Sequence, residues 1–171
     1  MDLHVRRTPE GWTAVLDDGT RWPCTLGRAG VTSSKREGDG ATPAGSVPVR
    51  RVLYRPDRVV APASGVPVLP IASDDAWCDD PASEHYNRPV KTGSAASHEN
   101  LWREDRLYDL LVVLGHNDDP PVPRNGSAIF VHRSPPGGGA TAGCIGLPAE
   151  AVTHLVAQVT AESHVRVHAP A

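Results

Sequence analysis

The sequence lacks the features of several protein classes. Its three cysteines, Cys24, Cys78 and Cys144, are an odd number and far apart with no C-x-x-C pair, so a disulfide framework is not expected and a reducing compartment is favoured. No basic run exceeds two residues and the net charge is −3, which argues against a nucleic-acid surface. No apolar run reaches the roughly 18 residues of a membrane span, and no apolar segment follows Arg6-Arg7 as in a secretory signal. We therefore expect no nucleic-acid or membrane partner, and a cytoplasmic location unless another export route exists.

Proline and glycine, in contrast, are abundant. The chain holds 17 prolines and 16 glycines, which indicates many turns. Hydrophobic residues still make up 39% of it, so a folded, turn-rich protein is expected. A chain of 171 residues suits one domain, residues 1–171, that buries about 70% of its unfolded surface.

The apolar pattern predicts a mainly β fold with one clear helix in the C-terminal half. Within residues 3–26, apolar and polar residues alternate on both sides of an Asp-Asp-Gly turn signal, which predicts a β-meander. Residues 47–54 are predicted to form a further strand. The continuous apolar run at 110–114 predicts a buried central strand. After Pro148, apolar residues recur at i, i+3, i+4 and i+7 up to Val159, which predicts a helix of about three turns.

Residues 126–144, GSAIFVHRSPPGGGATAGC, contain the strongest candidate for chemistry. A short apolar run ends on His132, and a glycine-rich loop then returns to Cys144. A histidine next to a cysteine can accept the thiol proton and stabilise the resulting thiolate, which is the nucleophile. The alternative is a core strand followed by a turn and a small, inert, buried cysteine.

The residues around this pair resemble the catalytic motif of the L,D-transpeptidase family, the YkuD-type domain. The steps Ile129-Phe130-Val131-His132 and Thr141-Ala142-Gly143-Cys144-Ile145 match the two halves of that motif. Upstream, Thr42-Pro43-Ala44-Gly45 matches the family's Thr-Pro-x-Gly step. The resemblance implies a YkuD-like β-sandwich or mixed-sheet catalytic domain that needs no cofactor. Ala142 and Gly146 depart from it, since the family usually carries histidine and arginine there.

The same resemblance implies roles for individual residues. Cys144 would be the nucleophile and His132 its base, and backbone N–H groups at Gly143, Cys144 and Ile145 would stabilise the oxyanion. Further substrate contacts are expected from residues that flank the motif: Ser127, Arg133 and Thr141.

Three further candidates follow from the residues alone. His116 comes at the end of the central strand and is a candidate second imidazole beside Cys144, or else a loop histidine without a chemical role. Trp77 and Tyr86 lie in the irregular segment 55–100, which either walls a substrate cleft or forms a surface loop anchored by these two aromatic residues. No spacing of cysteines and histidines matches a zinc motif, so no metal is expected.

The implied activity is acyl transfer, through a thioester, on the L,D bond between diaminopimelate and D-alanine in peptidoglycan stem peptides. Transfer to an amine makes an L,D-transpeptidase, and transfer to water makes an L,D-carboxypeptidase. The competing interpretations are a non-catalytic murein-binding module and a cysteine hydrolase of other peptides. The charged loop with Lys35, Glu37 and Asp39 is either solvated or binds substrate charge.

Overall fold

The computed structural model describes residues 1–170, and most of its regular structure is β-strand. The strands are β1 (Leu3–Thr8), β2 (Gly11–Leu16), β3 (Arg21–Pro23), β4 (Val31–Thr32), β5 (Thr42–Pro43), β6 (Gly45–Tyr54), β7 (Val68–Pro70), β8 (Asp75–Cys78), β9 (Pro89–Lys91), β10 (His98–Asn100), β11 (Leu110–Leu114), β12 (Phe130–Arg133), β13 (Ile145–Leu147) and β14 (His164–Val167). One α-helix, α1 (Ala149–Gln158), lies among the described residues. The predicted class, mainly β with one helix in the C-terminal half, is confirmed.

A mixed sheet of nine strands forms most of the molecule. Its strand order is β13-β12-β11-β6-β14-β1-β2-β3, with β7 paired to the side of β6. The two ends of this path approach each other, because Thr25, just after β3, exchanges two backbone hydrogen bonds of 2.8 and 2.9 Å with Gly146 in β13. The sheet is therefore nearly closed around a core. A Cβ at Gly146 would lie 2.4 Å from Thr25 Oγ1, so this close approach needs glycine.

The strands predicted from the apolar pattern at 3–26, 47–54 and 110–114 are present. The meander β1-β2-β3 is antiparallel, and β11 is buried at every position between β6 and β12. Helix α1 begins directly after Pro148 and buries Ala151, Val152, Leu155 and Val156. Those side chains join the larger of two hydrophobic cores, which contains Cys24 as a plain packing residue. Within the described residues, no helix has the length and apolarity needed to cross a membrane.

Strand β12 separates the two cores by the alternation of its side chains. Val131 points into the larger core, while Phe130 is part of the smaller core together with Trp77, Tyr108 and Cys144. Because side chains two residues apart lie on the same face of a strand, His132 projects on the same side as Phe130. The Tyr108 ring contacts both of these rings edge-on, at centroid distances of 5.9 Å to Phe130 and 5.1 Å to His132.

The segment 55–100, predicted to be turns and short strands, contains a small sheet of its own. Strands β10, β8 and β9 pair in that order, all antiparallel, across residues 75–100. This sheet packs over the smaller core through Trp77, whose ring meets Phe130 edge-on at 5.2 Å. Its β10 edge brings His98 and Glu99 to the cavity described below.

Candidate active site

A cavity of about 540 Å³ opens beside the smaller core, a size typical of small-ligand sites. Five separate parts of the chain line it: the charged loop 35–38, the small sheet, the segment before β11, the start and end of β12, and the loop 140–144. Both His132 and Cys144 are in its wall. The fold thus brings the two motif halves to one accessible site.

The loop that carries Cys144 is held by Thr141. The Thr141 hydroxyl donates a 2.6 Å hydrogen bond to the Cys144 carbonyl and accepts one of 3.1 Å from the Gly143 N–H. Gly143 has φ of +143°, and a Cβ there would lie 2.9 Å from the Ala41 carbonyl oxygen, so no other residue fits without strain. This geometry fixes the direction in which the sulfur enters the cavity.

Cys144 is a protonated thiol at rest. Its side chain is only 8% exposed, and Sγ donates to the Ala128 carbonyl at 3.2 Å and accepts from the Phe130 N–H at 3.4 Å. Burial raises the pKa of this thiol to about 12, and the Lys35 charge lowers it by less. The sulfur is therefore neutral near pH 7.

His132 is neutral as well. Its Nδ1 is 2.7 Å from the carbonyl oxygen of Arg133, and since a carbonyl only accepts, Nδ1 carries the proton. The Nε2 atom then has the free lone pair of a base. Burial lowers the pKa of the ring to about 4. The resting site is thus a neutral thiol and a neutral imidazole, and the predicted thiolate–imidazolium pair is not its resting form.

Two residues that the sequence analysis missed, Tyr108 and Glu99, complete the wall near the sulfur. The Tyr108 hydroxyl donates a 2.5 Å hydrogen bond to Glu99 Oε1. Burial raises the pKa of Glu99 and, together with the nearby Cys144, raises that of Tyr108. The sequence holds no motif for them, because Glu99 in β10 and Tyr108 before β11 are far from Cys144 in the chain and reach it only in the folded structure.

Glu37 also lines the cavity, and hydroxyl groups hold it in place. The Tyr86 hydroxyl donates to it at 2.6 Å, and the Ser127 hydroxyl lies 3.0 Å from both of its carboxylate oxygens. Tyr86 also accepts a hydrogen bond from the Gly126 N–H at 3.0 Å. Ser127 lines the cavity directly, whereas Tyr86 is 3% exposed and acts through Glu37.

Lys35 lies between this cavity and a second, smaller one. It is 9% exposed and forms an ion pair with Asp39. Its Nζ is 3.5 Å from the position that a Cβ of Gly143 would take, and its aliphatic stem lies against Gly126. A positive charge is thereby buried next to the loop that carries Cys144.

Besides Tyr86, four of the residues predicted for the site lie outside the cavity lining. His116 lines the second cavity, where burial lowers its pKa and Nε2 is 3.0 Å from the Asn125 carbonyl oxygen, so it is not the predicted neighbour of Cys144. Trp77 is a core residue whose indole donates to Asn87 at 2.9 Å. The Arg133 side chain is exposed, and only its backbone carbonyl serves the site.

The fourth residue, Ile145, is fully buried in β13 opposite Val131. Because the Gly143 N–H is already bonded to Thr141, the Cys144 N–H is the remaining candidate oxyanion donor of the predicted three. Among residues 1–170, no three His, Cys, Asp or Glu side chains are arranged to hold a metal ion.

Comparison with known families agrees with this geometry. Comparisons with curated proteins and with solved structures give no significant match. The family model for YkuD, the L,D-transpeptidase catalytic domain, matches residues 5–167. That range covers nearly the whole chain and includes every strand from β2 to β14 together with the cavity. The chain therefore belongs to the YkuD family of L,D-transpeptidase catalytic domains.

Proposed function

We propose that the protein catalyses cysteine-dependent acyl transfer on the L,D bond between diaminopimelate and D-alanine in peptidoglycan stem peptides. The observation that carries the proposal is the position of Cys144 and His132 in the wall of one accessible cavity. Family membership supports L,D-transpeptidase-type catalysis in general. The nucleophile, the base and the substrate are the specific parts of the proposal.

The reaction begins with proton transfer from a neutral thiol to a neutral imidazole. Nε2 of His132 takes the proton of Cys144 Sγ as the sulfur attacks the diaminopimelate carbonyl, and a C–S bond forms. The tetrahedral oxyanion accepts a hydrogen bond from the Cys144 N–H, and one such donor is typically worth about 3 kcal/mol of barrier. The intermediate collapses to a thioester as the C–N bond breaks, and His132 returns its proton to the amine of D-alanine.

The hydrogen bond between His132 and Arg133 keeps the ring ready for both proton transfers. It fixes the tautomer in which Nε2 is the base, and it stabilises the imidazolium that forms once the thiol proton has been taken. Because both groups are neutral at rest, the proton leaves the sulfur as the C–S bond forms, and no free thiolate has to accumulate in the buried site.

The thioester has two possible acceptors. An incoming amine gives a cross-link or an exchanged D-amino acid, and water gives a tripeptide and free D-alanine. The chemistry up to the thioester is the same, and the two outcomes differ in what enters the cavity after D-alanine leaves.

The test is incubation of the protein with disaccharide tetrapeptide and analysis of the products by mass spectrometry. Free D-alanine with tripeptide means hydrolysis, while a dimer or an exchanged D-amino acid means transfer. Cys144→Ser should abolish either reaction. Cys24→Ala is a matched control, because Cys24 is also 8% exposed and burial likewise raises its pKa to about 12, yet it lies in the apolar core.

A second measurement separates catalysis from binding. A carbapenem, which acylates nucleophilic cysteines of this family, should add one adduct mass to the peptide that contains Cys144 and none to Cys24. Binding of tetrapeptide without turnover and without an adduct would contradict the proposal and indicate a murein-binding module. Unchanged turnover by Cys144→Ser would also contradict it.

A further inference from the structure

Lys35 is an unusual residue to find in the wall of a reactive cavity. Lysine is rarely buried unless its charge has a partner, and this side chain is about nine-tenths buried. Its aliphatic stem packs on Gly126. A side chain at position 126 would put its Cβ 2.8 Å from Lys35 Cγ, so glycine there makes room for the lysine. The ammonium is thereby delivered to the side of Gly143, directly before Cys144.

Asp39 anchors the ammonium but does not use all of its donors. One carboxylate oxygen of Asp39 pairs with Lys35 and accepts the Ala41 N–H at 2.9 Å, and the other accepts the Arg36 N–H at 2.8 Å. The carboxylate is thus fixed by backbone groups and holds the ammonium in one place. An ammonium has three N–H donors. Within residues 1–170, Lys35 donates to one acceptor, Asp39. Two donors remain for a ligand.

The charges on the other walls of the cavity have the opposite sign. Glu37, Glu99 and Asp79 line it, and each accepts hydrogen bonds from hydroxyl groups, those of Tyr86, Ser127, Tyr108 and Ser97. Arg103, the other basic residue of the lining, is paired with Asp105. A ligand with a carboxylate at one end and an amine elsewhere is complementary to this arrangement of charges.

We propose that the Lys35 ammonium binds the free terminal carboxylate of the residue that leaves the substrate, and so selects bonds at the end of a peptide. Two unused donors match the two oxygens of a carboxylate, whereas the single oxygen of a tetrahedral intermediate would use one. The ammonium lies beside Gly143, directly before Cys144, so a carboxylate bound there would put the leaving residue on that side of the sulfur. The inference rests on the proposed function and specifies which end of the substrate the site recognises.

The test compares a tetrapeptide that ends in D-alanine with the same peptide ending in D-alaninamide. The amide keeps the scissile bond and removes the charge that Lys35 would bind. The wild-type protein should prefer the free acid by about 10- to 100-fold in kcat/KM, the range for a hydrogen bond to a charged group. Lys35→Met, which keeps the stem on Gly126, should bring that ratio close to 1.

The ratio distinguishes binding from a structural role. If Lys35 only supports the loop or stabilises the oxyanion, Lys35→Met lowers turnover of both peptides equally and the ratio stays at its wild-type value, which overturns the inference. Lys91→Met is the matched control, since it removes the only other lysine of the chain, an exposed one paired with Asp74 and Asp75. It should leave the ratio unchanged.

A binding measurement decides the matter independently of turnover. In the Cys144→Ser background, calorimetry should find the free acid bound about 10-fold or more tighter than the amide, and Lys35→Met should remove that difference. If the wild-type protein cleaves neither peptide, the proposed function fails while this comparison still tests Lys35. Equal affinity for acid and amide in Cys144→Ser, or no binding of either, refutes the carboxylate subsite.

Discussion

The free Cys144 thiol should become steadily more reactive as pH is raised far above neutrality. The structure has two neutral groups at rest, a thiol whose pKa burial raises to about 12 and an imidazole whose pKa burial lowers to about 4. Only the thiolate is alkylated. The pH dependence of alkylation therefore reports how the pair is ionised before substrate binds.

The expected effect is large. Five pH units below its pKa, roughly one thiol in 10⁵ is ionised, against roughly 3% of an exposed cysteine with a pKa near 8.5. Alkylation of Cys144 at pH 7 should thus be about 10³-fold slower than that of a free thiol, apart from any effect of access. Between pH 7 and pH 9 the rate should rise about 100-fold.

The assay is reaction with iodoacetamide at fixed times, followed by peptide mapping so that each cysteine is counted separately. The His132→Gln variant should give nearly the same curve, because a neutral ring contributes no charge to the free thiol. A preformed thiolate–imidazolium pair would instead give a plateau from acid pH up to the pKa of the imidazolium, and that plateau would disappear in His132→Gln. Observation of such a plateau would refute the neutral resting pair derived from burial.

Three further predictions concern stability and can be measured by urea unfolding. Gly143→Ala should lose activity and about 1–3 kcal/mol, because a Cβ would lie 2.9 Å from the Ala41 carbonyl at a φ of +143°; wild-type stability would contradict this. Gly146→Ala should lose about 1–3 kcal/mol, because its Cβ would lie 2.4 Å from Thr25 Oγ1 where the sheet closes; a loss below 0.5 kcal/mol would mean that the threonine side chain moves away. The unfolded chain protonates His132 near pH 6.5 but the folded one near pH 4. As pH is lowered from about 6.5 to about 4, the unfolded chain takes up a proton that the folded one does not. The free energy of unfolding should therefore fall by up to about 3 kcal/mol over that range, and His132→Gln should remove this pH dependence.

Local patterns were sufficient for the central strand, for the helix and for placing Cys144 and His132 at one site. Strand β11 and helix α1 were predicted because burial imposes a continuous apolar run on a central strand and a spacing of three and four residues on a surface helix. Cys144 and His132 were predicted because they lie in one short segment whose strand–loop form is encoded locally. Both line one cavity in the folded protein.

Contacts between distant segments explain what was missed. His116 follows the central strand, a position that fits either a second imidazole beside Cys144 or a loop histidine, and in the structure it lines the second cavity with Nε2 near the Asn125 carbonyl. Trp77 was considered for the cleft wall, and its burial against Phe130 makes it a core residue instead. Sequence position predicts which end of a strand a residue occupies and does not predict what packs around it.

The sequence by itself determined the fold class, the family resemblance and the choice of Cys144 and His132 as candidates, since each depends on residues close together in the chain or on a pattern with a fixed period. Only the tertiary structure decided the ionisation of that pair, because the pKa of Cys144 and of His132 depends on how much water the surrounding segments exclude. It also decided which charged and polar groups line the cavity. Lys35, Glu99 and Tyr108 are separated by up to 73 positions, and only the tertiary fold brings them to one cavity.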